Sequence, residues 1–236
     1  MSSLKNLKYK FLNLLFPIEC AGCGREDVWL CRDCLLKISP ARQENCFRCG
    51  RESALGQTCA DCAVQYDLDG VFVAADYDHK VVAELIKKLK YSFARELGET
   101  LAEIIELYFK RKEAEGEKIN LKKYDVAPIP LHRRRYNWRG FNQAEIIARS
   151  FAARFGLTYA EPLIRAKHKT PQARLGAEER KTNITGCFVA GEENISGKNF
   201  LLIDDVATTG STLNEAAKVL KAAGAKKIWG LVVAKG

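Results

Sequence analysis

The chain has 236 residues, a formal net charge of +9 and 47% hydrophobic residues. This length and hydrophobic fraction suffice for one main domain with its own core and a second, smaller domain. No apolar run approaches the length that a bilayer-spanning helix needs, which excludes a transmembrane protein. The positive charge favours polyanionic partners such as phosphates or nucleic acid, without proving one.

Residues 1–20 are basic and partly apolar, so a secretory signal peptide has to be considered. The apolar core is short, Asn13 interrupts it, and no small-residue cleavage site follows. The spacing predicts an amphipathic helix instead, with weak binding to a membrane surface as the alternative. Its apolar side would carry Leu4, Leu7, Phe11, Leu14 and Leu15. Without an export signal, we expect a cytoplasmic protein.

Eight of the nine cysteines lie between residues 20 and 62, in four CxxC pairs. The segment is an internal repeat, because "CAGCGRE" followed by "CRDC" is echoed by "CFRCGRE" followed by "CADC". A CxxC turn brings two thiolates to the separation that tetrahedral zinc requires, whereas disulfides are disfavoured in a reducing compartment. The pattern predicts two structural zinc sites, with sequential or interleaved pairing of the turns. The predicted ligands are Cys20, Cys23, Cys31, Cys34, Cys46, Cys49, Cys59 and Cys62.

The predicted zinc module has two interpretations. Trp29 and Phe47, with Arg32, Arg48 and Arg51, would suit stacking on single-stranded nucleic acid and contact with its phosphates. The alternative is a purely structural lid. In either case the segment is too short and polar to fold by burial alone, so metal binding would supply its folding free energy.

A strand and then helices follow the cysteines. Residues 71–75 form an apolar run, and apolar residues recur at helical spacing from residue 85 to residue 108. Lys87, Lys88 and Lys90 are predicted to form a solvated face, with a lysine that faces a substrate as the alternative. A second apolar strand, "YDVAPIPL", ends at Pro130.

A basic loop is predicted directly after that strand, ahead of a helix over residues 142–155. Its arginines would lie at the carboxyl end of a strand and beside a helix N-terminus, where α/β proteins bind anions. A solvated basic loop is one alternative, and a DNA contact with Tyr136 and Trp138 is compatible with either. The arginines are Arg133, Arg134, Arg135 and Arg139.

The polar segment of residues 165–188 lies between two short strand-like runs, and long loops of this kind are usually functional or disordered. Cys187, near its end, is predicted to be a small buried residue.

The stretch "NFLLIDDVATTGSTL" (residues 199–213) places Asp204 and Asp205 at the end of an apolar run, ahead of a small-residue loop. The run predicts a strand covered on both faces of a parallel sheet, and the residues after the loop predict a helix that Gly224 ends. At such a strand-to-helix turn, backbone N–H groups and the helix dipole favour a phosphate. Both carboxylates would remain free to accept hydrogen bonds from sugar hydroxyls. The loop lacks the lysine of a nucleotide-hydrolase P-loop.

This motif resembles the phosphoribosyl pyrophosphate signature of type I phosphoribosyltransferases. Together with the CxxC pairs, "RRYNWRGFNQ" and "TPQARLGAEERKTNITGCF", it makes the whole chain resemble the ComF family of competence proteins. The resemblance implies an α/β fold with a type I phosphoribosyltransferase-like parallel sheet flanked by helices, over residues 67–236. A small module over residues 1–66, an N-terminal helix and a double zinc ribbon, would precede it.

The resemblance also implies residue roles. Asp204 and Asp205 would hold the ribose 2′- and 3′-hydroxyls and residues 207–212 would wrap the 5-phosphate, with Mg²⁺ on the pyrophosphate. The ligand-binding stretch is Asp204, Asp205, Val206, Ala207, Thr208, Thr209, Gly210, Ser211 and Thr212. Arg133, Arg134, Arg135 and Arg139 would hold the pyrophosphate, and a flexible loop that closes over the site would contribute Gln172, Arg174, Arg180 and Asn183.

The implied function is that of a cytoplasmic bacterial protein that binds phosphoribosyl pyrophosphate and handles incoming single-stranded DNA in natural transformation, together with a competence helicase. The alternatives are an active phosphoribosyltransferase with an unidentified acceptor and a metabolite-sensing regulator or scaffold. Because the sequence ends at Gly236, straight after the last predicted strand, the hood over any acceptor is expected from the zinc module or from residues 76–115.

Overall fold

The computed structural model describes residues 18–41, 45–91, 96–166 and 186–236. Its helices are α1 (Arg32–Leu36), α2 (Ala60–Ala63), α3 (Lys80–Tyr91), α4 (Leu97–Ala114), α5 (Arg133–Arg139), α6 (Gln143–Phe155) and α7 (Ser211–Ala222). Its strands are β1 (Gly70–Asp76), β2 (Asp125–Pro128), β3 (Leu163–Arg165), β4 (Phe188–Ala190), β5 (Asn199–Ala207) and β6 (Lys227–Lys235). Residues 54–56 and 121–123 form 3₁₀ turns. The predicted N-terminal amphipathic helix lies outside the described residues.

The main sheet has the order β1-β6-β5-β2, and its pairings are all parallel. Successive side chains of a strand point to opposite faces, and β5 shows how both faces are covered. Leu201 and Ile203 pack in a cluster with α3, α4 and α6, whereas Phe200 and Leu202 pack in a cluster with α7. The predicted parallel sheet with flanking helices is therefore confirmed, and β3 and β4 form a separate antiparallel pair.

Two element boundaries differ from the sequence predictions. The arginine segment predicted as a loop forms α5, because His132 Nδ1 accepts a hydrogen bond from the backbone N–H of Arg134 (3.2 Å) and Gly140, at φ 74°, ends the helix. The predicted strand end is also too early. β5 continues through Ala207, so the two aspartates lie inside the strand, and Ser211 already belongs to α7.

The cysteine segments pack on the α/β unit at different places. The first, residues 20–34, lies against α3 and α4, and Arg111 of α4 donates a hydrogen bond to the carbonyl oxygen of Leu36 (2.9 Å). The second, residues 46–62, contacts the chain just before β1, where the Thr58 N–H donates to the Asp69 carbonyl (2.9 Å). The expected domain boundary after residue 66 falls in the connection between α2 and β1.

Within the described ranges, none of the helices combines the length and the apolar character that crossing a bilayer requires.

Candidate functional site

The acidic pair lies where β5 approaches the carboxyl edge of the sheet. The alternation along β5 turns Asp205 towards the face that α3 and α4 cover, and Asp204 towards the opposite face. Asp205 is buried, with 7% of its surface exposed, and its backbone N–H donates to Asp204 Oδ1 (2.8 Å). Burial, followed by the charge of the neighbouring Asp205, raises the pKa of Asp204 well above its ordinary value. The two adjacent carboxyl groups therefore form an acidic site that favours a cation or hydrogen-bond donors.

Lys90, near the end of α3, supplies a cation to this pair. Its Nζ lies 2.6 Å from Oδ2 of Asp205, and both side chains are largely buried. The charge of Lys90 also lowers the pKa of Asp204, against the effects of burial and of Asp205. α3 thus reaches from the end of β1 to the acidic pair and covers part of the site.

The small-residue loop forms a cradle next to Asp204. Gly210 adopts a left-handed conformation (φ 71°), and α7 begins directly after it. The hydroxyls of Thr209 and Ser211 lie 2.7 Å apart, and the backbone N–H of Ser211 points to Thr209 Oγ1 (3.4 Å). The cradle encloses a cavity of about 130 Å³ lined by Asp204, Val206, Ala207, Thr208, Thr209, Gly210, Ser211, Thr212 and Leu213. A cavity with hydroxyls, backbone N–H groups and a helix N-terminus suits a phosphate.

The arginine segment lies at the same edge of the sheet. Pro128 at the end of β2 pairs with Ile203, next to the acidic pair, and the Ile129 N–H donates to the Ile203 carbonyl (2.9 Å). From there the chain enters α5, on which Arg133, Arg134 and Arg135 are exposed. Arg139 is different, because it is buried and its guanidinium lies 5.7 Å from the centroid of the Trp138 ring.

The eight clustered cysteines form two groups, and the CxxC turns pair sequentially. Within each group the sulfur atoms lie within 4.8 Å of one another. The distances Cys23 Sγ to Cys31 Sγ and Cys49 Sγ to Cys59 Sγ are both 3.6 Å. Thiolates around tetrahedral zinc, at about 2.3 Å from the metal, are about 3.8 Å apart, so both groups fit this ion. The groups are Cys20, Cys23, Cys31 and Cys34, and Cys46, Cys49, Cys59 and Cys62.

In each group, hydrogen bonds from backbone N–H groups to sulfur lower the pKa of one cysteine. Burial raises the pKa of Cys20, but backbone N–H groups, foremost that of Cys31 (3.3 Å from the sulfur), outweigh it and lower the pKa to about 6. Cys46 has the same balance, with a pKa of about 6, and the backbone N–H of Cys59 is foremost among its donors. A thiolate is the form that binds zinc, so each group holds one cysteine that is readily ionised near neutral pH.

Comparison with known proteins agrees with both halves of this description. Residues 11–63 match the double zinc ribbon domain, and residues 139–235 match the phosphoribosyl transferase domain. The chain is 30% identical over 205 residues to competence protein ComFC of Streptococcus pneumoniae, covering 86% of each chain. The chain belongs to the ComF family.

Two further relatives align with this chain over a similar share of their length. Competence protein F of Haemophilus influenzae is 28% identical over 218 residues, which are 90% of this chain and 89% of that protein. The DNA utilization protein YhgH of Escherichia coli is 28% identical over 214 residues, which are 89% of this chain and 86% of that protein. Membership in the ComF family therefore extends over both the ribbons and the sheet.

The structure places Asp204, Asp205 and the loop at one edge of the sheet, and two other residues differ from the sequence expectation. Lys90, assigned to a solvated face, contacts the acidic pair. Phe47, proposed for stacking on nucleic acid, is buried with 7% exposure. Gln172, Arg174, Arg180 and Asn183 of the expected flexible loop lie outside the described residues, whereas Cys187 is buried as predicted.

Proposed function

We propose that this protein binds phosphoribosyl pyrophosphate, with the ribose hydroxyls on Asp204 and Asp205 and the 5-phosphate in the cradle of residues 207–212. The observation that carries the proposal is the adjacency of a paired acidic site and a phosphate-sized cavity, both of which include Asp204. Carboxylate oxygens are good acceptors for two sugar hydroxyls, and the N-terminus of α7 complements phosphate charge.

Mg²⁺ fits the same arrangement. It is a hard cation that takes oxygen ligands and keeps several waters, and it is usually held by one or two carboxylates together with substrate phosphates. Asp204 lines the cavity with such an oxygen, and the pyrophosphate would supply the others. The ion neutralises phosphate charge when it is bound. We propose that Arg133, Arg134, Arg135 and Arg139, with Gln172 and Arg180, contribute to the pyrophosphate side of the site.

Calorimetric titration with phosphoribosyl pyrophosphate, with and without Mg²⁺, tests the site. The zinc-loaded wild type should bind, and the variant Asp204→Asn/Asp205→Asn should lose at least tenfold in affinity, about 1.4 kcal/mol or more. Asp78→Asn, an exposed carboxylate in the turn after β1, is the matched control and should bind like the wild type. Unchanged affinity in the double variant would remove the site assignment.

We further propose that the protein handles single-stranded DNA during DNA uptake. The names of the relatives, two competence proteins and a DNA utilization protein, support this role. The chain itself supports it with the net charge of +9 and with an α5 that exposes three arginines beside Tyr136 and Trp138, which are 46% and 56% exposed. Aromatic faces next to guanidinium groups suit bases and phosphates of a single strand. The competence helicase that the family resemblance implies as a partner stays a prediction.

Binding of a fluorescent single-stranded oligonucleotide at several salt concentrations tests this role. Replacing Arg133, Arg134 and Arg135 by alanine should weaken binding and reduce the salt slope by about two, since each lost phosphate contact removes about 0.7 from the slope. Replacing Lys218, Lys226 and Lys227 by alanine changes the net charge equally and serves as the control. Equal effects of the two triple variants would show that α5 is not the interface.

A further inference from the structure

Two aromatic residues in or just after the second cysteine group contact the loop that forms the phosphate cradle. Phe47, inside the CxxC turn of Cys46 and Cys49, lies so close to Gly210 that a Cβ added to Gly210 would be 2.9 Å from Cε1 of the ring. The same Cβ would lie 3.3 Å from the hydroxyl of Tyr66. That hydroxyl donates a hydrogen bond to the Thr209 carbonyl (3.0 Å). Phe47 and Tyr66 therefore contact the backbone of the two residues at the tip of the loop.

The positions of both rings follow from the fold of the second ribbon. The turn that carries Phe47 is closed by Cys46 N–H to the Arg51 carbonyl (2.7 Å) and Gly50 N–H to the Cys46 carbonyl (2.9 Å). The Nζ of Lys235, at the end of β6, lies 4.8 Å from the centre of the Phe47 ring. Arg48, of the same turn, lies 5.4 Å from the centre of the Tyr66 ring. A turn of this kind is held in shape by the metal that its cysteines bind.

The two ribbons differ at this point although their sequences repeat. In the alignment of "CAGC" with "CFRC", Ala21 of the first ribbon takes the place of Phe47. Ala21 and Cys34 pack with α3 and α4, on the far side from α7. The aromatic contact with the loop is thus a feature of the second ribbon.

We propose that Phe47 and Tyr66 are positioning residues that hold the phosphate loop in its binding conformation, so that zinc in the second ribbon and a phosphoribosyl ligand in the cradle stabilise each other. The inference rests on the proposed binding of phosphoribosyl pyrophosphate. A loop of small residues loses conformational freedom when it wraps a phosphate, and a loop that is already held in place loses less. Coupling between two sites is reciprocal in affinity, so the ligand must also tighten the binding of this zinc, and we expect the tighter binding to appear as slower loss to a chelator.

The first experiment measures ligand affinity by calorimetry in Tyr66→Phe and Phe47→Ala, with zinc content determined for each. Tyr66→Phe deletes only the hydroxyl that bonds Thr209 and leaves all metal ligands in place. We expect affinity to fall about fivefold in Tyr66→Phe and about tenfold in Phe47→Ala, within the range usual for such coupling, with two zinc ions per chain retained. Val64→Ala, in the same region and 84% exposed, should bind like the wild type. Phe47→Leu should recover part of the loss.

The second experiment follows zinc release to a chelator with and without phosphoribosyl pyrophosphate. The ligand should slow one of two release phases about fivefold in the wild type, and the protection should disappear in Tyr66→Phe. If the wild type binds and Tyr66→Phe binds equally well with unchanged zinc protection, the coupling is refuted while the proposed function stands. Absence of binding by the wild type refutes the proposed function, and the inference with it. If Phe47→Ala loses zinc, the test of the coupling depends on Tyr66→Phe alone.

Discussion

At the acidic pair, the charges of Asp205 and Lys90 and the burial of Asp204 together set the pKa of Asp204. The pKa of Asp204 is raised by burial and by the charge of Asp205, and lowered in part by Lys90. Between the ordinary pKa of an aspartate and this raised pKa, the folded protein binds a proton that the unfolded chain has released. The stability that this proton contributes is complete at low pH and is lost as pH rises through the raised pKa.

The substitution Asp204→Asn should therefore stabilise the protein although it removes a carboxylate of the proposed ligand site. Asparagine is neutral at every pH, so near pH 7.5 the variant should have the larger free energy of unfolding and the higher Tm. The difference should shrink towards pH 5. Thermal unfolding of both proteins across this range measures it. A lower Tm for the variant at pH 7.5, or a difference independent of pH, would contradict this account of Asp204.

Removal of the Lys90 cation should destabilise the protein. Lys90→Met leaves the buried carboxylate of Asp205 without its cation, so we expect a loss of about 2 kcal/mol, less than for a fully buried pair. Denaturant unfolding measures this loss, and Lys87→Met, an exposed lysine on the same helix, is the control. The loss should be much smaller in an Asp205→Asn background. An equal loss in both backgrounds would mean that Lys90 acts through packing.

The sequence could locate Asp204, Asp205 and the loop at a strand-to-helix turn because that placement depends on neighbours in the chain, whereas their ligand contacts stay a proposal. Lys90 could not be assigned, because helical spacing shows only that it lies off the most apolar face of α3. Its partner is on a strand from the other end of the chain, and only the folded arrangement brings them within 2.6 Å. For a similar reason, the sequence left two interpretations of Phe47 open, stacking on nucleic acid and a structural lid. An aromatic residue in a short polar segment resembles an exposed one until the element that buries it is known.

At the scale of elements, the site depends on how closely helices and strands approach each other. α4 and α6 cross at Gly98, where an added Cβ would lie 3.1 Å from the Cβ of Ile146, with its γ-methyl closer still. These two helices cover the face of the sheet towards which Asp205 points. A glycine inside a helix is a poor helix former, so its presence here reflects the close contact.

Gly98→Ala should destabilise the protein by about 1–3 kcal/mol, because the new methyl group overpacks the contact between α4 and α6. Urea unfolding gives the difference. The loss should be smaller when Ile146 is also replaced by alanine, which makes room for the methyl group. If Gly98→Ala stabilises the protein, as helix propensity alone would predict, the close approach of the two helices is not a constraint.

The elements themselves were predictable where apolar periodicity is strong. The sequence predicted β1, β5, β6 and the long helices correctly, since their buried residues recur at the spacing of a strand or a helix. α5 was missed because its residues are charged or aromatic and no apolar stripe marks it. Its helical conformation depends instead on its ends, on the cap by His132 and the left-handed Gly140.

At the scale of the whole molecule, the ribbons and the sheet share one core. Cys20, Cys31 and Cys34 belong to the same buried cluster as Leu85 and Leu89 of α3. The zinc module was expected to be a separate, smaller unit, and the repeat alone could not show which surfaces it covers. Nor could spacing decide between sequential and interleaved pairing, which the three-dimensional grouping of the sulfur atoms decides.

Removal of zinc should therefore unfold more than the ribbons. Metal binding supplies most of the folding free energy of such a module. A strong chelator should therefore lower the free energy of unfolding of the whole chain by several kcal/mol, and its Tm should fall as well. Calorimetric scans with and without chelator test this. Cys187→Ala, which replaces the buried cysteine outside both groups, should keep two zinc ions per chain. An unchanged transition after complete zinc removal would show that the sheet is stable without its ribbons.

The strand order has a consequence for how the chain is made. β6 lies between β1 and β5, so β1 leaves the ribosome long before its neighbour in the sheet has been synthesised. The ligands of each ribbon, in contrast, are complete by residues 34 and 62. We expect zinc to load on the nascent chain first and the sheet to close last. Until Gly210 and β6 have been synthesised, Phe47 is an exposed aromatic ring. A stalled or shortened chain exposes this ring together with the unpaired edges of β1 and β5. We expect such a chain to aggregate or to bind chaperones.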